Sequence, residues 1–150
     1  MKKIVLALIV IMVLSACAPA AEGGSNVPAQ STLLVTVGES QHSFSMEDLQ
    51  ALPSTEATFN DVAYQGVAVS VLLEAVSVDP GAVKAIKAVA ADGYSVNYDS
   101  AQVLKDNVLV AYALADGSPL TADDGNFRMV LPGEEGKLNV RMLTELQIIQ

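Results

Sequence analysis

The stretch Tyr64-Gln-Gly-Val-Ala-Val-Ser-Val-Leu-Leu-Glu-Ala75 decides the fold, because two kinds of secondary structure meet within it. Its first residues continue an extended segment, which Gly66 is expected to close. Ser70 is then expected to cap a helix over Val71–Val76, since a serine side chain accepts hydrogen bonds from the first turn of a helix. Apolar residues at helical spacing support that helix, namely Leu72, Leu73 and Val76. A strand followed directly by a short helix predicts a fold that mixes both.

Further helix starts and turns lie on either side of this stretch. Ser45 is expected to cap a short helix that ends at Leu52 and Pro53. Asp92-Gly93 is typical of a hairpin turn. Either Asp99 or Ser100 is expected to cap a helical turn that reaches Lys105.

Apolar runs, some of them alternating with polar residues, predict strands over the rest of residues 33–150. A short hairpin arm, Gln41–Phe44, is expected to return along the first of them. Six or seven short strands with interspersed helices predict one β-rich domain of the mixed α+β class. The predicted strands are Leu33–Val37, the segment holding Phe59, Val62 and Tyr64, Ala85–Val89, Tyr94–Tyr98, Val108–Leu114, Phe127–Leu131 and Leu143–Ile149.

Residues 1–16 are predicted to be a signal peptide. Lys2 and Lys3 precede eleven consecutive apolar residues, Ile4–Leu14. A membrane-spanning helix needs about 20 apolar residues, so this run is too short to span and fits a secretory leader. The next residues, Leu14-Ser-Ala-Cys17, resemble the lipobox of bacterial lipoproteins, in which the cysteine thiol carries the lipid. This resemblance implies a lipid-anchored protein on the extracytoplasmic face of the cell membrane. The alternative is a secreted protein with an incidental Cys17.

The segment after the predicted lipid anchor has the composition of a linker. Residues 17–32 follow no apolar periodicity and are rich in Gly, Ala, Pro and Ser. A flexible chain of this length spans on the order of 20 Å. We therefore expect the domain at 33–150 to stand just off the membrane surface.

Charge and cysteine content exclude several classes of function. The formal charge is −9 and becomes −11 without the leader, which holds two of the 8 basic residues and none of the 17 acidic ones. Such a chain repels phosphate backbones, so a nucleic-acid binder is excluded. A single cysteine excludes an internal disulfide and a cysteine-based zinc or iron–sulfur site. The absence of a Gly-x-Ser-x-Gly elbow argues against a hydrolase.

Three collinear segments carry a resemblance to a known family. Phe44-Ser-Met-Glu-Asp-Leu-Gln-Ala-Leu-Pro53 is similar to that family's "sleDLkaLP", and Tyr64–Ala75 is similar to "y.GvpLsdLLea". The third segment comprises Ala91–Ser95, Val110–Leu120, Arg128–Gly133 and Val140–Leu146. In this order they resemble the oxidoreductase molybdopterin-binding domain of the sulfite oxidase family. The resemblance implies that family's mixed, β-rich fold.

The same resemblance implies where a molybdopterin would bind and which parts of the family's site are missing. Active members bind molybdenum through a cysteine thiolate, and this chain has no cysteine after Cys17. Asp124 stands where the family has a histidine, and Arg128 matches the family's arginine. The two lysine positions fall on Leu138, with Lys137 adjacent, and on Arg141. Arg128, Arg141 and Lys137 are therefore the candidate cofactor-binding residues, with no catalytic residue and no metal ligand.

Simpler explanations compete with these roles. Arg128 and Arg141 would also serve as surface or half-buried partners of the many acids. His42, in the hairpin arm, is expected to be solvated, because no ligand cluster surrounds it. Two acid pairs on loops, Asp123-Asp124 and Glu134-Glu135, would hold a hard cation only weakly, and solubility is the simpler explanation.

Three functional hypotheses follow. The first is a non-catalytic, membrane-tethered module that binds an extracytoplasmic protein, with no cofactor expected. The second is a molybdopterin-dependent oxidoreductase, or a subunit of one completed by another chain, that holds the pterin through Arg128 and Arg141. The third is a binder of a small anionic ligand in the remnant of the pterin pocket around the same arginines.

Overall fold

The computed structural model describes residues 31–150, which form a mixed α+β domain of two sheets and three short helices. The predicted signal peptide, Cys17 and the linker as far as residue 30 lie outside the described residues. The strands are β1 Leu33–Val37, β2 Ser40–Phe44, β3 Ser54–Phe59, β4 Val62–Ala68, β5 Ala85–Ala90, β6 Ser95–Asp99, β7 Leu109–Leu114, β8 Arg128–Val130 and β9 Leu143–Ile149. The helices are α1 Met46–Ala51, α2 Val69–Ala75 and α3 Ser100–Val103, with 3-10 turns at Pro80–Ala82 and Gly136–Leu138.

The two sheets differ in how their strands run. The first has the order β2-β1-β9-β5-β6, and its only parallel pair among the described residues joins β1 to β9. The second has the order β3-β4-β7-β8 and is antiparallel throughout. The C-terminal strand β9 therefore lies at the centre of the first sheet, between the N-terminal strand and β5.

One main core joins both sheets to α2. Val35 and Ile86 from the first sheet share it with Val110 from the second sheet and with Leu72 and Leu73 from α2. The second sheet also buries its other face in a smaller cluster of Ala57, Tyr64, Leu109, Ala111 and Val130. Strands β4, β7 and β8 are therefore covered on both sides, which fixes the side chains that leave this sheet.

The predicted β-rich α+β class is confirmed, and several local predictions agree with the structure. Ser45 caps α1 in a reciprocal capping box, its hydroxyl accepting from the Asp48 amide while the Asp48 carboxylate accepts from the Ser45 amide. The carboxylate also accepts from the Ser45 hydroxyl, and the hydrogen bonds that it accepts from the amide and hydroxyl of Ser45 lower the pKa of Asp48. Asp99 caps α3 by accepting from the Gln102 amide at 2.7 Å. Strand β9 has the predicted bounds.

Two predictions for the stretch 64–75 are wrong. Gly66 does not close the extended segment but lies inside β4, at an irregularity in its pairing with β7. A Cβ atom there would overlap the Val110 carbonyl oxygen and lie 2.6 Å from the Ala111 Cα. Ser70 does not cap α2, because the helix begins at Val69 and its N-cap, Ala68, offers no side-chain hydrogen bond. The amide of Val69 instead donates to the Val108 carbonyl, so a neighbouring segment replaces the cap.

The extended segment around Phe59, Val62 and Tyr64 is two strands rather than one. Asn60 and Asp61 both have positive φ, 50° and 62°, and form the two-residue turn between β3 and β4. Positive φ at both turn positions gives the twist that a tight hairpin requires. With this split, and with β2 as a strand where a hairpin arm was predicted, the described residues contain nine strands, above the six or seven predicted.

The strand predicted over Phe127–Leu131 is shorter, comprising only β8. Its flanks remain buried, and backbone hydrogen bonds tie it to the C-terminal segment, from the Met129 amide to Val140 and from the Leu143 amide to Phe127. In residues 31–150 no helix is long and apolar enough to cross a membrane.

Candidate functional site

A cavity of about 320 Å³ opens beside the β3–β4 hairpin and β8. Its walls combine aromatic rings from the hairpin with charged and amide side chains from the segment 124–141. The lining residues are Phe59, Asn60, Val62, Tyr64, Asp124, Arg128, Gly136, Asn139 and Arg141. Arg128 and Arg141, two of the three residues predicted to bind a cofactor, therefore face one cavity.

Arg128 is buried and already has a partner of opposite charge. Its Nη1 lies 2.6 Å from Oδ1 of Asp124, which is also buried. The same nitrogen donates to the hydroxyl of Tyr64 at 2.9 Å. The simpler explanation, that Arg128 is the partner of an acid, agrees with this contact, but both side chains are buried rather than at the surface or half-buried.

Two aromatic rings hold the guanidinium group of Arg128. Its central carbon lies 4.6 Å from the ring centroid of Tyr64 and 5.7 Å from that of Phe59. Both distances are within the range of cation–π attraction. The β3–β4 hairpin places these rings on one face, because Phe59 pairs with Val62 and Ala57 pairs with Tyr64. The arginine is therefore fixed by the hairpin as well as by its carboxylate partner.

Asp124 is fixed from both sides. Its Oδ2 accepts a 2.9 Å hydrogen bond from the Thr121 hydroxyl, and its backbone carbonyl accepts from the Met142 amide at 2.8 Å. The interpretation of Asp123-Asp124 as a solubilising acid pair is wrong for Asp124, because its buried carboxylate binds Arg128 and Thr121 rather than solvent. Asp123 is exposed, as expected.

The other predicted acid pair, Glu134-Glu135, contacts lysines at the surface. Glu134 lies 3.7 Å from the Lys105 ammonium, and Glu135 lies 2.7 Å from that of Lys137. The hydrogen bond and the charge of Lys137 lower the pKa of Glu135, and the reciprocal contact raises the pKa of Lys137. His42 is exposed on β2. Within residues 31–150, no three His, Cys, Asp or Glu side chains are grouped so as to hold a metal ion.

Buried Asn139 shapes the floor of the cavity. Its Oδ1 accepts from the Leu131 amide at 2.7 Å, and its Nδ2 donates to the Glu135 carbonyl at 3.2 Å. The Asn139 side chain therefore links two backbone positions of the segment between β8 and β9 by hydrogen bonds. The phenol of Tyr94 reaches the same loop and donates to the Lys137 carbonyl at 2.8 Å.

Arg141 and Lys137 are exposed and border a second hollow of about 340 Å³, which Tyr94 also lines. Arg141 lines both hollows, whereas Lys137 lines only the second. Arg141 therefore shares the first cavity with Arg128 and the second hollow with Lys137. Among the described residues, Arg141 has no carboxylate within ion-pair distance.

Sequence reasoning missed Phe59, Tyr64 and Asn139 as parts of this site. A signal for the first two is present, because recognising Asn60-Asp61 as a hairpin turn places Phe59 and Tyr64 on one face. No local signal marks Asn139, whose role depends on backbone groups of the folded loop.

The molybdenum-bound cofactor that the resemblance implies does not fit these residues. Residues 31–150 contain no thiol, so these residues cannot supply the soft thiolate ligand that the family uses. The arginine that matches the family's pattern is neutralised by Asp124. An anionic phosphate would have to displace that carboxylate from a buried position.

Comparisons with known proteins agree with this architecture. A family model described as the oxidoreductase molybdopterin binding domain matches residues 27–150. The structure is similar to the crystal structure of the sulfane dehydrogenase SoxCD from Paracoccus pantotrophus, with a TM-score of 0.66 and 26% identity. The match covers 78% of this chain and 37% of that chain, so it spans little more than a third of the matched protein. No curated protein matches the sequence. The chain belongs to the family of oxidoreductase molybdopterin-binding domains.

Proposed function

We propose that this protein is a non-catalytic member of its family, a lipid-anchored module on the extracytoplasmic face of the membrane. The observation that carries the proposal is the buried ion pair between Arg128 and Asp124. The domain keeps the family's fold, but the cation it would offer to a cofactor phosphate is bound to the domain's own carboxylate.

The remaining cations support the same conclusion. Of the three predicted cofactor-binding residues, Arg128 pairs with Asp124 and Lys137 pairs with Glu135. Within residues 31–150, only Arg141 of these three has no acidic partner. One charge-assisted hydrogen bond contributes about 1.5–3 kcal/mol. That contribution is small against the roughly 12 kcal/mol of a nanomolar complex. We therefore expect no tightly held cofactor.

The predicted leader, Cys17 and linker supply the location. Stable anchoring needs more than one acyl chain, which a lipidated N-terminal cysteine provides. The acidic domain would then face partners outside the cytoplasm. Its partner is an extracytoplasmic protein or a small ligand that contacts the walls around Arg141.

A second candidate is a subunit of a molybdopterin-dependent oxidoreductase completed by another chain. Two observations favour it. The matched chain is much longer than this domain, and Arg141 lines a cavity that a second chain could extend. In that assembly the missing thiolate would come from the partner.

Elemental analysis separates the two candidates. The full chain is expressed in a host that makes molybdopterin, purified from membranes in mild detergent, and assayed for molybdenum and for pterin fluorescence. A family member that keeps the cysteine and histidine serves as the positive control. We expect a stoichiometric load in the control and only background in this protein. A stoichiometric load in this protein would overturn the proposal and favour the enzyme.

A further inference from the structure

Asp124 and Arg128 both line the cavity, and the guanidinium of Arg128 contacts a carboxylate, a hydroxyl, a backbone carbonyl and two aromatic rings. Nη1 binds the Asp124 carboxylate and the Tyr64 hydroxyl, while the Phe59 and Tyr64 rings lie against the planar group. The Asp124 carboxylate lies where an oxygen of a bound anion would meet the guanidinium. This arrangement resembles an occupied anion site whose anion is part of the chain.

We infer that Asp124 is a built-in counter-anion that masks a latent site for a tetrahedral oxyanion in this cavity. The inference rests on the proposed function, because the Asp124 carboxylate can occupy the anion position only if no cofactor phosphate is bound there. It goes further by assigning the exclusion of phosphate-like ligands to one side chain.

The charges explain why Asp124 excludes such ligands. Arg128 and Asp124 together carry no net charge, so an approaching phosphate gains little from the pair. It also meets the negative carboxylate where the low dielectric of the interior strengthens repulsion. Without that charge, buried Arg128 lacks a counter-ion, and an unpaired buried charge strongly favours any anion that reaches it. Arg141, on the same cavity wall, would add a second planar donor group.

The contacts of Arg128 allow the negative charge of Asp124 to be removed while the guanidinium keeps its position. Two rings and the Tyr64 hydroxyl hold the guanidinium independently of Asp124. An asparagine at position 124 has the same shape, and its amide can still meet both Arg128 and Thr121. Asp124→Asn therefore deletes one buried charge while keeping the geometry of the cavity.

The test compares melting temperatures of the full chain in phosphate and in sodium chloride of equal ionic strength. Binding to the folded state alone raises the melting temperature, and at about ten times Kd we expect a rise on the order of 5 °C for Asp124→Asn. Asp123→Asn is the matched control, because it removes the same charge from the adjacent, exposed residue. Phosphate also stabilises proteins non-specifically, and the wild type and Asp123→Asn measure that background.

Three outcomes decide the inference. A phosphate-dependent rise in Asp124→Asn that is lost in the double variant Asp124→Asn/Arg128→Gln supports it. Equal responses of Asp124→Asn, Asp123→Asn and the wild type overturn it. Should Asp124→Asn fail to fold in chloride, phosphate must restore its cooperative melting, and failure to do so also overturns it. These results are independent of molybdenum content, so the inference can fail while the proposed function stands.

Discussion

The hydroxyl of Tyr98, on β6, donates a 2.5 Å hydrogen bond to the backbone carbonyl of Leu138, 40 residues further along the chain. Tyr98 is fully buried, so the first sheet fixes the loop that carries Asn139 and leads to Arg141. Tyr94 holds the preceding carbonyl, that of Lys137, from the surface. The cavity wall formed by Asn139 and Arg141 therefore depends on β6 of the first sheet, although the hairpin and β8 that form other walls of the cavity belong to the second sheet.

Replacing Tyr98 with phenylalanine should destabilise the domain by about 1–3 kcal/mol, because the Leu138 carbonyl loses its buried donor. Urea denaturation followed by circular dichroism measures the change. Tyr94→Phe is the matched control, since it removes the equivalent hydrogen bond at an exposed position and should cost less than about 1 kcal/mol. Equal losses of unfolding free energy in the two variants would contradict the larger contribution expected of the buried hydrogen bond.

Stability should fall at alkaline pH, and Tyr98 should account for part of the loss. Burial, followed by the nearby Tyr94, raises the pKa of Tyr98 above its ordinary value of 10.0. The unfolded chain ionises at that ordinary value, while the folded state keeps the neutral phenol. The stabilisation is therefore complete below pH 10 and is lost as the pH rises toward the folded-state value. Unfolding free energies measured from pH 8 to about pH 11 should fall less steeply for Tyr98→Phe than for the wild type. Parallel curves would contradict this assignment.

Gly66→Ala should cost about 3 kcal/mol or more, because the new methyl group would overlap the backbone of β7. That backbone lies inside a sheet covered on both faces and has no room to move. Gly136→Ala is the control, since a Cβ there meets no atom within 4 Å. Thermal unfolding of both variants checks the difference. A small effect at Gly66 would mean that the β4–β7 irregularity can relax.

The fold followed from local patterns, whereas the site required contacts between distant segments. Strand β9 and the Ser45 capping box depend on neighbouring residues, so alternation and cap chemistry predicted them. The irregularity at Gly66 depends on Val110, and no pattern around Gly66 indicates that close approach. Arg128 was expected to have an acidic partner, but its burial comes from the Phe59 and Tyr64 rings of a hairpin that was not predicted. The resemblance placed Asp124 at the family's histidine position, but nothing in the sequence predicted that Asp124 is buried while Asp123 is exposed, because that difference arises only in the fold.

Truncating Leu72 or Leu73 to alanine should cost about 2–5 kcal/mol for each residue. Both side chains are fully buried in the main core, where α2 joins the two sheets. Val71→Ala on the same helix is the control, since Val71 is only half-buried and should cost about 1 kcal/mol. Denaturant titration of the three variants measures the free energies of unfolding. Losses below about 1 kcal/mol at both leucines would contradict the placement of α2 in the core.

Replacing Cys17 with alanine should move the protein from the membrane fraction to the soluble extracytoplasmic fraction. The apolar run Ile4–Leu14 is too short to span a bilayer, so the proposed membrane attachment depends on acyl chains at this thiol. The domain at 33–150 should keep its melting temperature, because the predicted linker separates it from the anchor. Fractionation after a high-salt wash, with immunodetection of the chain, measures the distribution. Ser25→Ala, a substitution in the linker, should leave the protein in the membrane fraction. Membrane retention of Cys17→Ala after the wash would contradict lipid anchoring, because neither charge attraction nor an acyl chain would then explain attachment.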